Sequence, residues 1–139
     1  MKARLYTPED YPVIAEWQAK HGVPVVRPSM LSPLGVVIES EETGTMLGAV
    51  WIYLACNVGL AWLGWWVTNP ANLPGLSERV INALEDASEA ALPDEYNLLI
   101  AIPPTDTGLD HLLRRKGFHV SHTCTEMYKL LPLKCPPSQ

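Results

Sequence analysis

Charge is scarce in this chain: 18% of its 139 residues are Asp, Glu, Lys or Arg, and the acids lead, giving a formal net charge of -5. That balance lacks the cationic footprint with which a protein displaces counterions from DNA or RNA phosphates. Nucleic acid is therefore not the expected partner, and cationic or neutral amines suit the charge better. Cysteine is also rare. The three present, Cys56, Cys124 and Cys135, make an odd count with no close pair, which argues for a reducing compartment rather than a disulfide scaffold. No apolar run is long enough for a membrane helix, since Leu47 to Val67 is interrupted by Asn57 and several glycines. The opening MKARLYTPED carries no signal-like apolar stretch. The expectation is a soluble, cytoplasmic protein with no membrane partner.

What the chain does have is apolar residues, 47% of the total, enough to build one core without disulfides or metals. One domain over residues 1–131 is expected, followed by a flexible, proline-rich tail, 132–139. Lys2 to Tyr6 reads as a first strand. Thr7-Pro8-Glu9-Asp10 has the chemistry of a helix start, with Thr7 or Asp10 as N-cap. Pro12 is tolerated in a first turn, Val13, Ile14 and Trp17 fall on one face, and Gly22 is a stop signal. Val23 to Pro33 shows no period and reads as an irregular piece that could wall a substrate pocket.

Leu34–Glu39, Met46–Cys56 and Leu60–Thr68 follow as strands, with turns at Glu41–Gly44 and Asn57–Gly59. Tight pairing of the last two puts Trp51 opposite Gly64, filling the space its missing side chain leaves. Trp51 and Tyr53 would then share a face with Trp62 and Trp66. Core and cross-strand packing explains such a cluster, and so does an acceptor wall or a dimer patch. A helix from Pro74 or Gly75 to Leu92 presents Leu76, Val80, Ile81, Leu84 and Ala87 inward and leaves Glu78, Glu85 and Asp86 to solvent. Tyr96–Ile102 is nearly all apolar, as in a strand covered on both faces. Asp106 then caps a helix that ends in Arg114-Arg115-Lys116 before Gly117, and Phe118–Leu131 supplies one or two last strands.

The organising stretch is Leu60–Ala87: a strand, a loop and an amphipathic helix. A loop opening a helix leaves backbone N–H groups free at its N-terminus, which suits a phosphate. Between Asn72 and Ser77 the side chains are small or neutral, so a ligand can approach the main chain.

The order strand, helix, irregular piece, three strands, helix, strand, helix, strand resembles the GNAT superfamily of acyl-CoA-dependent N-acetyltransferases over nearly the whole chain. Thr68-Asn69-Pro70 stands where that family has Val-x-Pro. Asn72-Leu73-Pro74-Gly75-Leu76-Ser77 stands at its phosphate loop, with Asn72 in place of Arg or Gln and Ser77 in place of the second glycine. Asp106 falls at a conserved-type Asn, Gly117-Phe118 at the Gly-Phe pair, and Leu113 where a tyrosine usually protonates the departing thiolate.

The resemblance implies an α/β domain, with a mixed, mostly antiparallel sheet flanked by helices. It also implies acetyl-CoA as acyl donor and a small-molecule or peptide amine as acceptor, with direct attack in a ternary complex. It places CoA against Val67, Asn72, Leu73, Gly75, Leu76, Ser77 and Asp106. Main-chain N–H groups at Trp66, Val67 or Thr68 would polarise the thioester carbonyl. A catalytically degenerate module of the same fold is the alternative.

The acid or base is not fixed by the sequence. Leu60–Thr68 contains no carboxylate, and Glu39, Tyr53, His111, His119 and Tyr128 are the candidates from pocket-lining segments. His119, His122 and Cys124 do not make a metal site, because at most two share a strand face. Cys56 and Cys124 are expected to be inert in apolar strands. A homodimer is one reading of the tryptophan-rich surface.

Overall fold

A computed structural model describes residues 1–103 and 107–121. Five strands form one sheet in the order β1 (Lys2–Leu5), β2 (Gly35–Glu39), β3 (Met46–Leu54), β4 (Leu60–Thr68), β5 (Leu98–Ala101). The first three pairings are antiparallel, and β4 pairs with β5 in parallel. The mixed, mostly antiparallel sheet flanked by helices is thus as the sequence implied.

Helix α1 (Tyr11–Lys20) follows a 3-10 turn at Pro8–Asp10. Thr7 caps that turn, and its N–H donates to Asp10 Oδ2 at 2.9 Å. Asp10 in turn receives two hydrogen bonds from the Arg4 guanidinium, both at 2.8 Å, which ties the helix start to β1. Burial alone would raise the Asp10 carboxyl; Arg4 and the Thr7 N–H outweigh it and hold the group below its ordinary value. Ile14 and Trp17 are buried as expected and Gln18 joins them, whereas Val13, expected on the same face, is exposed.

The sheet separates two apolar clusters. Val36, Ile38, Val50, Ile52, Ala61 and Leu63 pack against Val80 and Leu84 of α2 (Leu76–Ala91). A Cβ on Gly48 would lie 2.6 Å from Val80 Cγ1, so this glycine allows α2 to settle on β3. On the other face, Val37, Ala49, Trp51 and Val67 pack against Ile14 and Trp17.

Trp51 does face Gly64 in the register. The space it fills, however, is over Gly35: a Cβ there would stand 2.8 Å from Trp51 Nε1, while at Gly64 the nearest neighbour is the Tyr53 ring at 3.4 Å. Trp66 does not share the face of Trp51. Trp51 pairs with Gly64 but Ala49 pairs with Val67, so β4 has one residue more than β3 between these pairs. Trp65, with φ of 59°, takes up the extra position, and Trp66 turns to the α2 side.

Three further expectations are corrected. β5 is shorter than Tyr96–Ile102 and is not covered on both faces, since Leu98 and Ile100 are exposed. Glu85 is only 1% exposed rather than solvated. Cys56 is exposed in the turn after β3, outside the strand. The final helix of the described residues, α3 (Gly108–Arg115), is capped by Thr107, whose Oγ1 accepts from the Asp110 N–H at 3.3 Å. Asp106, Cys124 and the last strands expected after Phe118 lie outside the described residues. No helix among the described residues is long and apolar enough to cross a membrane.

Candidate active-site cleft

Two strands that run in parallel part company at the centre of the molecule. The last β4–β5 pair is Leu63 with Ala101, so among the described residues Gly64–Thr68 have no strand partner on that side. Two local causes coincide here. The bulge at Trp65 swings the end of β4, and Pro103, two residues beyond Ala101, has no N–H with which to continue the ladder.

The strand phase decides which main-chain groups face the gap. Asn69 N–H donates to Leu47 O at 2.9 Å, so Val67, two residues earlier, directs its main chain to Ala49 across the β3–β4 ladder. Thr68, between them, directs its N–H and C=O away from β3. Its carbonyl indeed accepts a 2.7 Å hydrogen bond from His21 Nε2 on that side. Of the three positions implied for thioester polarisation, Val67 is the one whose main chain is occupied in the sheet.

A cleft of about 320 Å³ fills the gap. β4 contributes Trp66, Val67 and Thr68, α2 contributes Ile81 and Leu84, and α3 contributes Leu109. His21 and Val23, beyond the end of α1, form the remaining wall. His21 is held there by a helix stop in which Gly22 N–H bonds Ala19 O at 3.0 Å and Val23 N–H bonds Gln18 O at 3.1 Å. Gly22 supplies the required left-handed residue, with φ of 69°. The buried Gln18 Oε1 accepts from Val26 N–H at 2.9 Å and ties the following loop to α1.

The loop between β4 and α2 ends in Gly75, whose φ of 79° makes it a left-handed N-cap with no side-chain capping bond. Leu76 N–H is spent on Leu73 O at 3.0 Å, and Pro74 has no N–H. Among the described residues, the N–H groups of Gly75, Ser77 and Glu78 have no hydrogen-bond acceptor. Asn72 does not cap the helix: its Nδ2 donates to Leu47 O at 3.0 Å and to Ser77 Oγ at 3.3 Å, bracing the loop against β3. Ser77 lies one turn before Ile81 on the same helical face, so the helix mouth and the cleft are in line.

The cleft and the loop do not form one cavity. Asn72, Leu73 and Leu76 border a separate depression of about 450 Å³ beside the Ser40–Thr45 turn. The acid and base candidates named from sequence are also elsewhere. Glu39 is bound by Arg4 Nε at 2.6 Å, and Tyr53 Oη donates to Met30 O at 2.8 Å, its ionisation pushed up by burial. Neither they nor His111 and His119 line the cleft, and Tyr128 lies outside the described residues. The titratable residue that does line it, His21, carried no sequence signal beyond its place before Gly22. No group of metal-binding side chains is found among the described residues. Leu113, at the position of the family's tyrosine, is buried and 3% exposed.

No protein-family profile matches the chain, and none of the curated proteins does. Solved structures do. A probable acetyltransferase superposes with a TM-score of 0.65 at 10% identity, covering 96% of this chain and all of its own. An acetyltransferase of Trypanosoma brucei gives 0.59 at 16% identity, over 93% of this chain and 99% of its own. N-acetylglutamate synthase of Neisseria gonorrhoeae, solved with coenzyme A and N-acetylglutamate, gives 0.56 at 19% identity, over 81% of this chain and 27% of its own. The chain has the fold of the GNAT acetyltransferases.

Proposed function

We propose that the protein is an N-acetyltransferase that moves an acetyl group from acetyl-CoA to a primary amine by direct attack in a ternary complex. The observation that carries this reading is the alignment of two main-chain edges that no strand or helical turn of the described residues pairs. At one, the N–H groups of Gly75, Ser77 and Glu78 open α2. At the other, the main chain of Trp66 and Thr68 borders a gap from which β5 has withdrawn. Donors at a helix mouth suit a diphosphate, and an unpaired strand edge in an apolar cleft suits a polarised carbonyl oxygen. The N. gonorrhoeae synthase, which shares the fold, was solved with coenzyme A.

In this reading Gly75 and Ser77 hold the diphosphate, while Asn72, Leu73 and Leu76 shape the loop. Trp66 and Thr68 orient the thioester, Val67 supports them from the ladder, and Asp106 is the further cofactor contact that the family resemblance implies. The acceptor is a small-molecule or peptide amine.

A degenerate module of the same fold, which binds CoA weakly or not at all and works through partner contacts, is favoured by one observation, the buried Leu113 at the leaving-group position. A CoA thiolate leaves without help more readily than an alkoxide, so this loss lowers the rate without removing the reaction. Titration with acetyl-CoA separates the outcomes. Binding to the folded state raises Tm with ligand concentration. A rise with acetyl transfer supports the enzyme, whereas no rise, or a rise without transfer, overturns it in favour of the module.

A further inference from the structure

We propose that His21 is the general base of this cleft, taking the proton from the acceptor nitrogen at its Nδ1. The inference rests on the acetyltransferase reading and assigns a residue that neither the sequence motifs nor the structural likenesses point to.

Thr68 O can only accept, so the 2.7 Å contact requires a proton on His21 Nε2. In the neutral ring Nδ1 is then the bare nitrogen and the only lone pair available as a base. The Schellman-type stop at Gly22 and Val23 fixes the backbone on one side of the ring, and the Thr68 carbonyl fixes the ring itself. His21 is thus bonded to the same residue whose N–H faces the gap, so the base and the carbonyl-orienting edge share one anchor.

Among the described residues no other cleft-lining side chain titrates. Several charged groups on the surrounding elements are paired with one another. On α1, Lys20 pairs with Glu16; on α3, Asp110 pairs with Arg114 at 2.9 Å; on α2, Glu85 faces Lys116 at 3.1 Å. β4 contributes none.

The step balances without another reactant. The neutral amine forms a bond to the acetyl carbon, and its surplus N–H proton passes to His21 Nδ1. The C–S bond breaks with its electron pair on sulfur, and the imidazolium returns the proton to the thiolate. The Thr68 carbonyl remains an acceptor for Nε2–H throughout and stabilises the charged ring.

The test uses the full chain with 2-phenylethylamine, spermidine and a peptide with a free N-terminus as acceptors. His21→Gln keeps a donor for Thr68 O but has no base. Expected are an unchanged acetyl-CoA-induced rise in Tm and a fall in kcat/KM of about 10²-fold or more. In His21→Ala, added imidazole should restore part of the rate, which a purely structural role would not allow. Transfer by His21→Gln within about threefold of wild type overturns the proposal and leaves the acetyltransferase reading intact. Acetyl-CoA binding with no transfer to any of the three amines also overturns it, because the ring then has no proton to move. Absence of acetyl-CoA binding by the wild type overturns the reading itself.

Discussion

The indole of Trp51 lies over Gly35, its Nε1 2.8 Å from the point where a Cβ would stand; Tyr6 Cβ would be closer still, at 2.7 Å. Tyr6 and Trp51 also meet edge to face, with centroids 5.2 Å apart. The Tyr6 Cβ and the Trp51 ring therefore both depend on the missing side chain. Gly35→Ala is expected to destabilise the fold by about 1–3 kcal/mol, as overpacked cores do. Urea unfolding checks this: an unchanged midpoint would mean that the rings can move aside.

Ser77 stands in the first turn of α2, where a carboxylate interacts favourably with the helix dipole. Ser77→Glu should leave Tm unchanged or raise it slightly in the absence of ligand, yet abolish the rise caused by acetyl-CoA. Its carboxylate would sit where the diphosphate is proposed to bind. Retention of the full acetyl-CoA shift in a folded variant would move the diphosphate site away from this helix.

Trp65 occupies the extra position of the β4 bulge with φ of 59°, which a tryptophan adopts only under strain, and its side chain is more than a third exposed. Glycine suits that conformation and a β-branched residue does not. Trp65→Gly should keep stability within about 1 kcal/mol, whereas Trp65→Val should lose about 1–2 kcal/mol. Equal losses in the two variants would show that the indole contacts, not the backbone, hold the bulge.

Burial raises the ionisation range of Glu85; Glu89 adds to the rise, while Lys116 opposes it. Among the described residues neither carboxylate oxygen has a hydrogen-bond partner of good geometry, although Lys116 Nζ is 3.1 Å from Oε2. A carboxyl raised in the folded state favours folding below its unfolded value, and this contribution is lost as pH climbs through the folded value. The wild type should therefore lose stability relative to Glu85→Gln as pH rises from about 4 towards neutrality. Lys116 keeps Asp86 as a partner in the variant. Melting curves of both proteins across that range test the sign; a widening advantage for the wild type would refute it.

Much of the fold was legible because it rests on local rules. The β4 boundaries Leu60–Thr68 follow from an apolar, aromatic run between a Gly59 turn and Asn69-Pro70, and the structure keeps them. Gly75 and Gly22 were readable as a helix start and stop because each occupies a left-handed conformation that glycine adopts without strain. The GNAT architecture followed from element order together with the glycine-bearing loop.

Other features depend on residues far apart in the chain. Glu85 looked solvated because helical periodicity records only a residue's direction, and Lys116 and the α2–α3 contact decide what lies in that direction. The face of Trp66 was misread because strict alternation fails at a bulge, and one extra residue reverses every later side chain. His21 gave no motif; it joins the cleft because a helix ending at Lys20 delivers it to a carbonyl 47 residues away. By itself the sequence determined the elements, their order and the glycine-governed turns, since these are set by short-range sterics and periodicity. Only the tertiary structure decided which main-chain edges stay unpaired and which titratable group meets them, because both depend on where two strands separate in space.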